Sequence, residues 1–230
     1  MEKRIGKIDY FYTYQKLVRD IQFLKYEFKE INSLEEGSIG KSILNHKIPY
    51  LKVGEGNKKI LINAAHHANE WITSLVSINF FEKLLNHLKK DHLYKGYDVN
   101  SILSQTKLFL VPMVNPDGVD LVQKEKYIFE QKEFLELIFK NQKYLKNWKA
   151  NIRGVDLNLN YPTGWEKAKV IKRKKGVVGP NYRDYVGPNP LSELESQSLA
   201  NFTTLQQFNL TISLHSQGEE IYWDDRKWKN

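Results

Sequence analysis

His67 and Glu70 stand three residues apart in the run Ala65-His66-His67-Ala68-Asn69-Glu70-Trp71. That spacing lets one turn of backbone aim an imidazole nitrogen and a carboxylate oxygen at one ion, and both are good zinc donors at about 2.0–2.2 Å. A bare His-x-x-Glu also arises by chance, as a loop histidine beside a glutamate at a helix N-terminus. His215 changes the balance. It lies in Thr211-Ile212-Ser213-Leu214-His215-Ser216-Gln217-Gly218, where an apolar run stops. Two histidines and one glutamate leave a fourth position for water, the make-up of a catalytic zinc site, whereas a structural site closes with a fourth protein donor. The chain has no cysteine, so thiolate sites, cysteine nucleophiles and disulfide scaffolds are excluded and a metal must be held by His, Asp or Glu.

These residues need elements that bring distant segments together. Residues 59–65 read as a largely buried strand and 71–88 as a helix with apolar residues at Ile72, Leu75, Ile78, Leu85 and Leu88. Leu210–Leu214 reads as another strand, so both halves of the site fall at strand carboxyl ends, where α/β sheets place their sites. The spacing of Leu17, Ile21, Leu24 and Phe28 predicts an opening helix over 12–30 with Thr13 as N-cap. Runs 38–44 and 48–53, joined by Asn45-His46-Lys47, predict a hairpin. A further strand, 107–114, leads to Asn115-Pro116-Asp117-Gly118, read as a turn, then to a lysine-rich helical stretch to about Trp148. Residues 161–190 read as surface loops and 192–208 as a helix. The basic run Lys172-Arg173-Lys174-Lys175 is read as a solvated loop, because no aromatic residues interleave with it. Strands alternating with helices give an α/β layered domain, and 230 residues suit one domain over the whole chain.

Between the two halves of the site lies Gly154-Val155-Asp156-Leu157-Asn158-Leu159-Asn160-Tyr161. With His67-x-x-Glu70-Trp71, Asn115-Pro116-Asp117-Gly118 and Ser213-Leu214-His215-Ser216, this ordered series resembles the motifs of the zinc carboxypeptidase family over roughly residues 12–223. The resemblance implies a mixed β-sheet flanked by helices, with zinc at the carboxyl edge of the sheet. It also implies roles. His67, Glu70 and His215 would hold Zn2+, and Asp156 would accept a hydrogen bond from the other ring nitrogen of His67, fixing its tautomer. Asn158 would bind substrate, and a cation just upstream, Lys149 or Arg153, would stabilise the oxyanion.

Two departures qualify the likeness. Carboxypeptidases of the family carry Asn-Arg-Asn, whose arginine clamps the substrate's terminal carboxylate through a planar fork of donors; this chain has Asn158-Leu159-Asn160. The phrase from Trp148 to Asn158, followed by Tyr161-Pro162, is more similar to the bacterial γ-D-glutamyl-L-diamino acid peptidases of the family, which cut peptidoglycan stem peptides. A peptide or muropeptide substrate is thus implied. The family's general-base glutamate lies well downstream of the last zinc histidine, whereas fifteen residues follow His215, and Glu219 and Glu220 stand too close to match it. No residue is therefore assigned as general base. The chain reads as incomplete at its C-terminus, better at binding zinc than at turnover, and open to a complementing C-terminal segment. Two other readings use the same residues: a non-catalytic zinc- or muropeptide-binding relic, and a zinc deacylase of small acyl-amino acids.

The remaining sequence narrows the field. No apolar run approaches the ~20 residues needed to span a bilayer, and the N-terminus has no apolar core followed by small residues, so a cytoplasmic location is expected. The formal charge of +8 suits acidic partners in general, and no nucleic-acid partner is expected from it. His66 is read as a core or hydrogen-bonding histidine; His46, His87 and His92 receive no role.

Overall fold

The computed structural model describes residues 11–90, 93–123 and 134–223. Helix α1 (Tyr14–Glu27) begins where Thr13 predicts: the Thr13 hydroxyl accepts from Lys16 N at 3.4 Å, and Leu17, Ile21 and Leu24 form the buried face. The hairpin follows as β1 (Glu35–Lys41) and β2 (Lys47–Val53), then β3 (Lys58–Ala64) and α2 (Ile72–Lys90). A two-residue ladder, β4 (Leu93–Tyr94) with β5 (Tyr97–Asp98), precedes α3 (Val99–Gln105) and β6 (Thr106–Val111). Helices α4 (Pro116–Gln123), α5 (Leu135–Lys140), α6 (Trp165–Lys174) and α7 (Leu194–Gln206) lead to β7 (Leu210–Leu214).

Five strands make one mixed sheet in the order β1-β2-β6-β3-β7, antiparallel across β1, β2 and β6 and parallel across β6, β3 and β7. The period-two pattern of the strands sorts side chains to two faces. Leu108 and Leu110 of β6 join Leu17, Leu24, Ile78, Phe81 and Leu85 under α1 and α2. Phe109 and Val111 join Leu61, Leu157, Leu199 and Phe202 under α7. Each such side chain contributes about 1.5–3 kcal/mol when fully buried. The parallel register Asn63↔Val111 and Asn63↔Ser213 brings the carboxyl ends of β3, β6 and β7 together. Among the described residues β7 is an outer strand, with Leu210 51% and Ile212 40% exposed. No helix there is long and apolar enough to cross a membrane.

Three local expectations are corrected. Asn115-Pro116-Asp117-Gly118 opens α4 instead of forming a free turn, because proline suits the first helical position and Asn115 Oδ1 caps Gly118 N at 3.0 Å. The 161–190 stretch contains α6, so Lys172, Arg173 and Lys174 end a helix, where their charge complements its dipole. Trp165 anchors that helix, its indole N–H donating to Val186 O at 3.0 Å. His46 has a partner after all: with Ser42 Oγ and Leu44 N it surrounds the fully buried Asp117 carboxylate, at 2.7, 2.7 and 2.8 Å. The lysine-rich helical stretch is seen only in part, as α5 and a 3₁₀ turn over Gln142–Asn147; residues 124–133 and His92 lie outside the described residues.

A second buried acid lies beside the hairpin. Glu195 accepts from Ile43 N at 3.2 Å and Asn151 Nδ2 at 3.4 Å. Burial, reinforced by the charges of Asp117 and Glu193, pushes its carboxyl up to about 8. The folded chain therefore binds this proton more tightly than the unfolded chain, and the associated stability, full at low pH, is lost as pH rises from the ordinary glutamate range towards 8. Glu195→Gln is expected to flatten this slope. Between about pH 5.5 and about pH 8.5 the variant should gain on the parent by on the order of 2 kcal/mol. Urea melts at the two pH values check it, and parallel pH profiles would refute it.

Candidate metal centre

The loop after β3 is held before any ion is considered. Ala65 takes a left-handed φ of +52°, which costs an L-residue on the order of 1 kcal/mol. Hydrogen bonds fix it: Asn115 N donates to Ala65 O at 3.1 Å and Ala65 N to Thr73 Oγ1 at 3.0 Å. The Thr73 hydroxyl donates in turn to Glu70 O at 2.8 Å, closing the loop across the 3₁₀ turn Ala68–Glu70. From outside, Ala68 N donates to Lys149 O (3.2 Å), Asn69 N to Trp148 O (3.0 Å) and Asn115 Nδ2 to His66 O (3.1 Å).

This loop and the end of β7 bring His67, Glu70 and His215 together, with one ligand atom from each lying within 4.8 Å of the others. The Glu70 carboxylate sits between two imidazoles, Oε1 3.0 Å from His67 Nδ1 and Oε2 2.9 Å from His215 Nδ1. Ser216 N donates to Oε2 at 3.2 Å. The second nitrogen of His67, Nε2, meets Asp156 Oδ1 at 3.2 Å, the contact that fixes a tautomer. Burial alone would lower His67; its hydrogen bonds to Asp156 and Glu70, with their charge, raise it to about 9 instead. Burial likewise opposes ionisation of Glu70, yet His215 and His67 hold its carboxyl well below the usual range. The same balance against His67 lowers Asp156. Two buried carboxylates thus stabilise positive charge among nitrogen and oxygen donors with no sulfur, a donor set that fits zinc.

The surrounding residues separate the expected candidates. Lys149, 13% exposed at its side chain, places Nζ 3.5 Å from Glu70 Oε1. Arg153 instead places Nε 3.7 Å from Glu193 Oε2, on a side chain 45% exposed. Asn158 lines a cleft of about 380 Å³ with Asn63, His66, Tyr161, Thr203 and Ser213. His66 is buried, with Nε2 3.0 Å from the Tyr161 hydroxyl. Burial, then the neighbouring His215 and His67, lowers it to about 3, which keeps it neutral. Asn160 is a scaffold residue: Nδ2 donates to Val186 O, Asn189 O and Ser192 Oγ, and Oδ1 accepts from Ser196. Glu219 and Glu220 are exposed, Glu220 beside Tyr222. Ser216 N and the backbone at Asp184, which also touches Asp156, were not legible in residue types because they act through the main chain.

Comparison with known proteins bears on the fold and the family. A family model described as zinc carboxypeptidase matches residues 21–228. The chain is 37% identical over 215 residues to gamma-D-glutamyl-L-diamino acid endopeptidase 1 of Lysinibacillus sphaericus, covering 92% of this chain and 52% of that protein. It is 39% identical over 188 residues to the Bacillus subtilis (strain 168) protein YqgT, whose function is unassigned, covering 80% and 49%. The chain therefore spans about half the length of these relatives. Among solved structures, thrombin-activatable fibrinolysis inhibitor superposes with a TM-score of 0.70 at 18% identity, covering 99% of this chain and 55% of that one. Carboxypeptidase A from Helicoverpa armigera gives 0.64 at 20% identity, covering 90% and 46%.

Proposed function

The chain belongs to the zinc carboxypeptidase family, and from that premise we propose that its His67–Glu70–His215 centre holds zinc for hydrolysis of γ-D-glutamyl–diamino acid bonds in peptidoglycan stem peptides. The convergence of those three side chains at the carboxyl edge of the sheet carries the reading. The likeness to a γ-D-glutamyl-L-diamino acid endopeptidase supports the substrate class. Zinc, when bound, supplies the Lewis acidity that polarises a scissile carbonyl and activates water.

The chain's own residues do the rest. Lys149, beside Glu70, supplies a fixed positive charge for the oxyanion that develops at the scissile carbonyl, and the geometry favours it over Arg153 for that part. Asn158, on the cleft wall, presents an amide that donates to and accepts from a peptide backbone. Leu159 provides no donor for a terminal carboxylate, which favours internal or γ-linked bonds over a free C-terminus.

The test uses the zinc-loaded protein with the stem tetrapeptide L-Ala-γ-D-Glu-diaminopimelyl-D-Ala, in which the γ-linked bond is internal. Calorimetric binding that requires zinc is the expected result, and release of the diaminopimelyl-D-Ala dipeptide is the sign of turnover. The absence of both zinc-dependent binding and release would sink the reading. In a companion measurement, Leu159→Arg should raise the preference for a peptide ending in a free carboxylate over its amide by about tenfold or more. An unchanged ratio would remove Leu159 from the account of specificity.

A further inference from the structure

Asp156 is gripped on two sides. Its Oδ1 meets His67 Nε2, and its Oδ2 accepts from Asp184 N at 3.3 Å. Its backbone N donates to Tyr185 O at 2.8 Å, while Tyr182 O accepts from Lys149 N (2.8 Å) and Ala150 N (3.1 Å). Segment 182–185 thus lies against both supports of the centre: the carboxylate that orients His67, and the strip whose carbonyls hold the backbone of Ala68 and Asn69.

To make all these bonds the segment must turn sharply between Tyr182 and Tyr185. It does so at Asp184, with φ of +70°. That left-handed conformation is unfavourable for L-residues and tolerated best by Asp and Asn after glycine. The Asp184 carboxylate is itself pinned. Oδ1 pairs with Lys172 Nζ from α6, and Oδ2 with Arg183 Nε at 3.2 Å. Lys172 and Asp184 expose only 22% and 24% of their side chains, so the pair is partly sheltered from water.

We propose that Asp184 is a positioning residue for the metal centre: held in its left-handed turn by Lys172 and Arg183, it directs its backbone N–H at Asp156 and so fixes the carboxylate that orients His67. This rests on the metal-centre reading above.

The experiment measures Co2+ affinity and the visible Co2+ spectrum of the 230-residue chain and of Asp184→Val, Asp184→Gly and Lys172→Met. Valine, β-branched, resists positive φ, and should weaken cobalt binding about 10–100-fold and alter the spectrum, as loss of an outer partner does. Glycine keeps the N–H and adopts positive φ freely, so affinity should return to within a few-fold of the parent. Lys172→Met, which releases the pin but leaves Asp184, should fall between them. Parent-like binding by the valine variant, or an equal loss in the glycine variant, overturns the proposal. Should the valine variant fail to fold, as judged by melting of the metal-free chain, Lys172→Met decides, and an unchanged affinity and spectrum overturn it. Failure of the underlying reading looks different: the parent would bind no cobalt, or His67→Ala would bind it as the parent does.

Discussion

His67→Ala is expected to weaken zinc binding by more than about 100-fold, because changing even an outer partner of a metal ligand costs about 10–100-fold and this change removes the ligand itself. The variant loses the Nδ1 donor that faces Glu70 and leaves the Asp156 carboxylate without its imidazole. Asp156 is then left buried without its imidazole and Glu70 keeps only His215 and Lys149, so the metal-free variant should also melt lower than the parent. Asp156→Asn, which keeps His67, should lose less, about 10–100-fold. Competition with a chromogenic chelator measures both. Retention of stoichiometric zinc at parental affinity by His67→Ala would dissolve the centre as described.

Lys149→Met should weaken binding of a phosphinic pseudo-tripeptide, which mimics the tetrahedral oxyanion, by about 10²–10³-fold, the scale on which removal of a single oxyanion donor is felt. The side chain is mostly buried beside Glu70, where a fixed charge is poorly screened. Arg153→Met, at a more exposed side chain paired with Glu193, should change the same affinity by no more than a few-fold. The contrast between these two variants is the measurement. If Arg153→Met produced the large loss and Lys149→Met the small one, the assignment of the oxyanion cation would be reversed.

What could be read in the sequence was whatever periodicity and residue type carry. The i, i+4, i+7 spacing of Leu17, Ile21 and Leu24 marked α1, and the apolar run at 59–65 marked β3 to within a residue. His67, Glu70 and His215, which the structure brings together, stood out because metal chemistry restricts residue type, whereas Asp156 was pointed to only by the family resemblance. Lys149 and Arg153 could not be separated in the sequence, because both are cations a few residues upstream of Asp156 and only packing tells which faces Glu70. Helix α6 was missed because its glycine and proline neighbours and its run of cations resemble a loop, while the burial that stabilises it is concentrated in Trp165. The Asp117 hub was missed for a related reason: Asn-Pro-Asp-Gly favours a turn locally, and the partners that make it a helix start, Ser42, Leu44 and His46, are some seventy residues away. Asp184 gave no signal at all, since its contact with Asp156 comes from its amide nitrogen.

The three candidate metal donors stand on supports of unequal firmness. His67 and Glu70 ride on a buried loop tied at both ends, whereas His215 follows β7, which among the described residues is paired on one side only, with β3. A strand paired on one side opens at lower free energy than a central one, so in the protein as described His215 is expected to be the donor that lets go first. An ion held by all three donors would then act as a rivet between β7 and the loop after β3. Adding metal should slow amide exchange in Leu210–Leu214 far more than in α1, even though the rivet touches the strand only at its end.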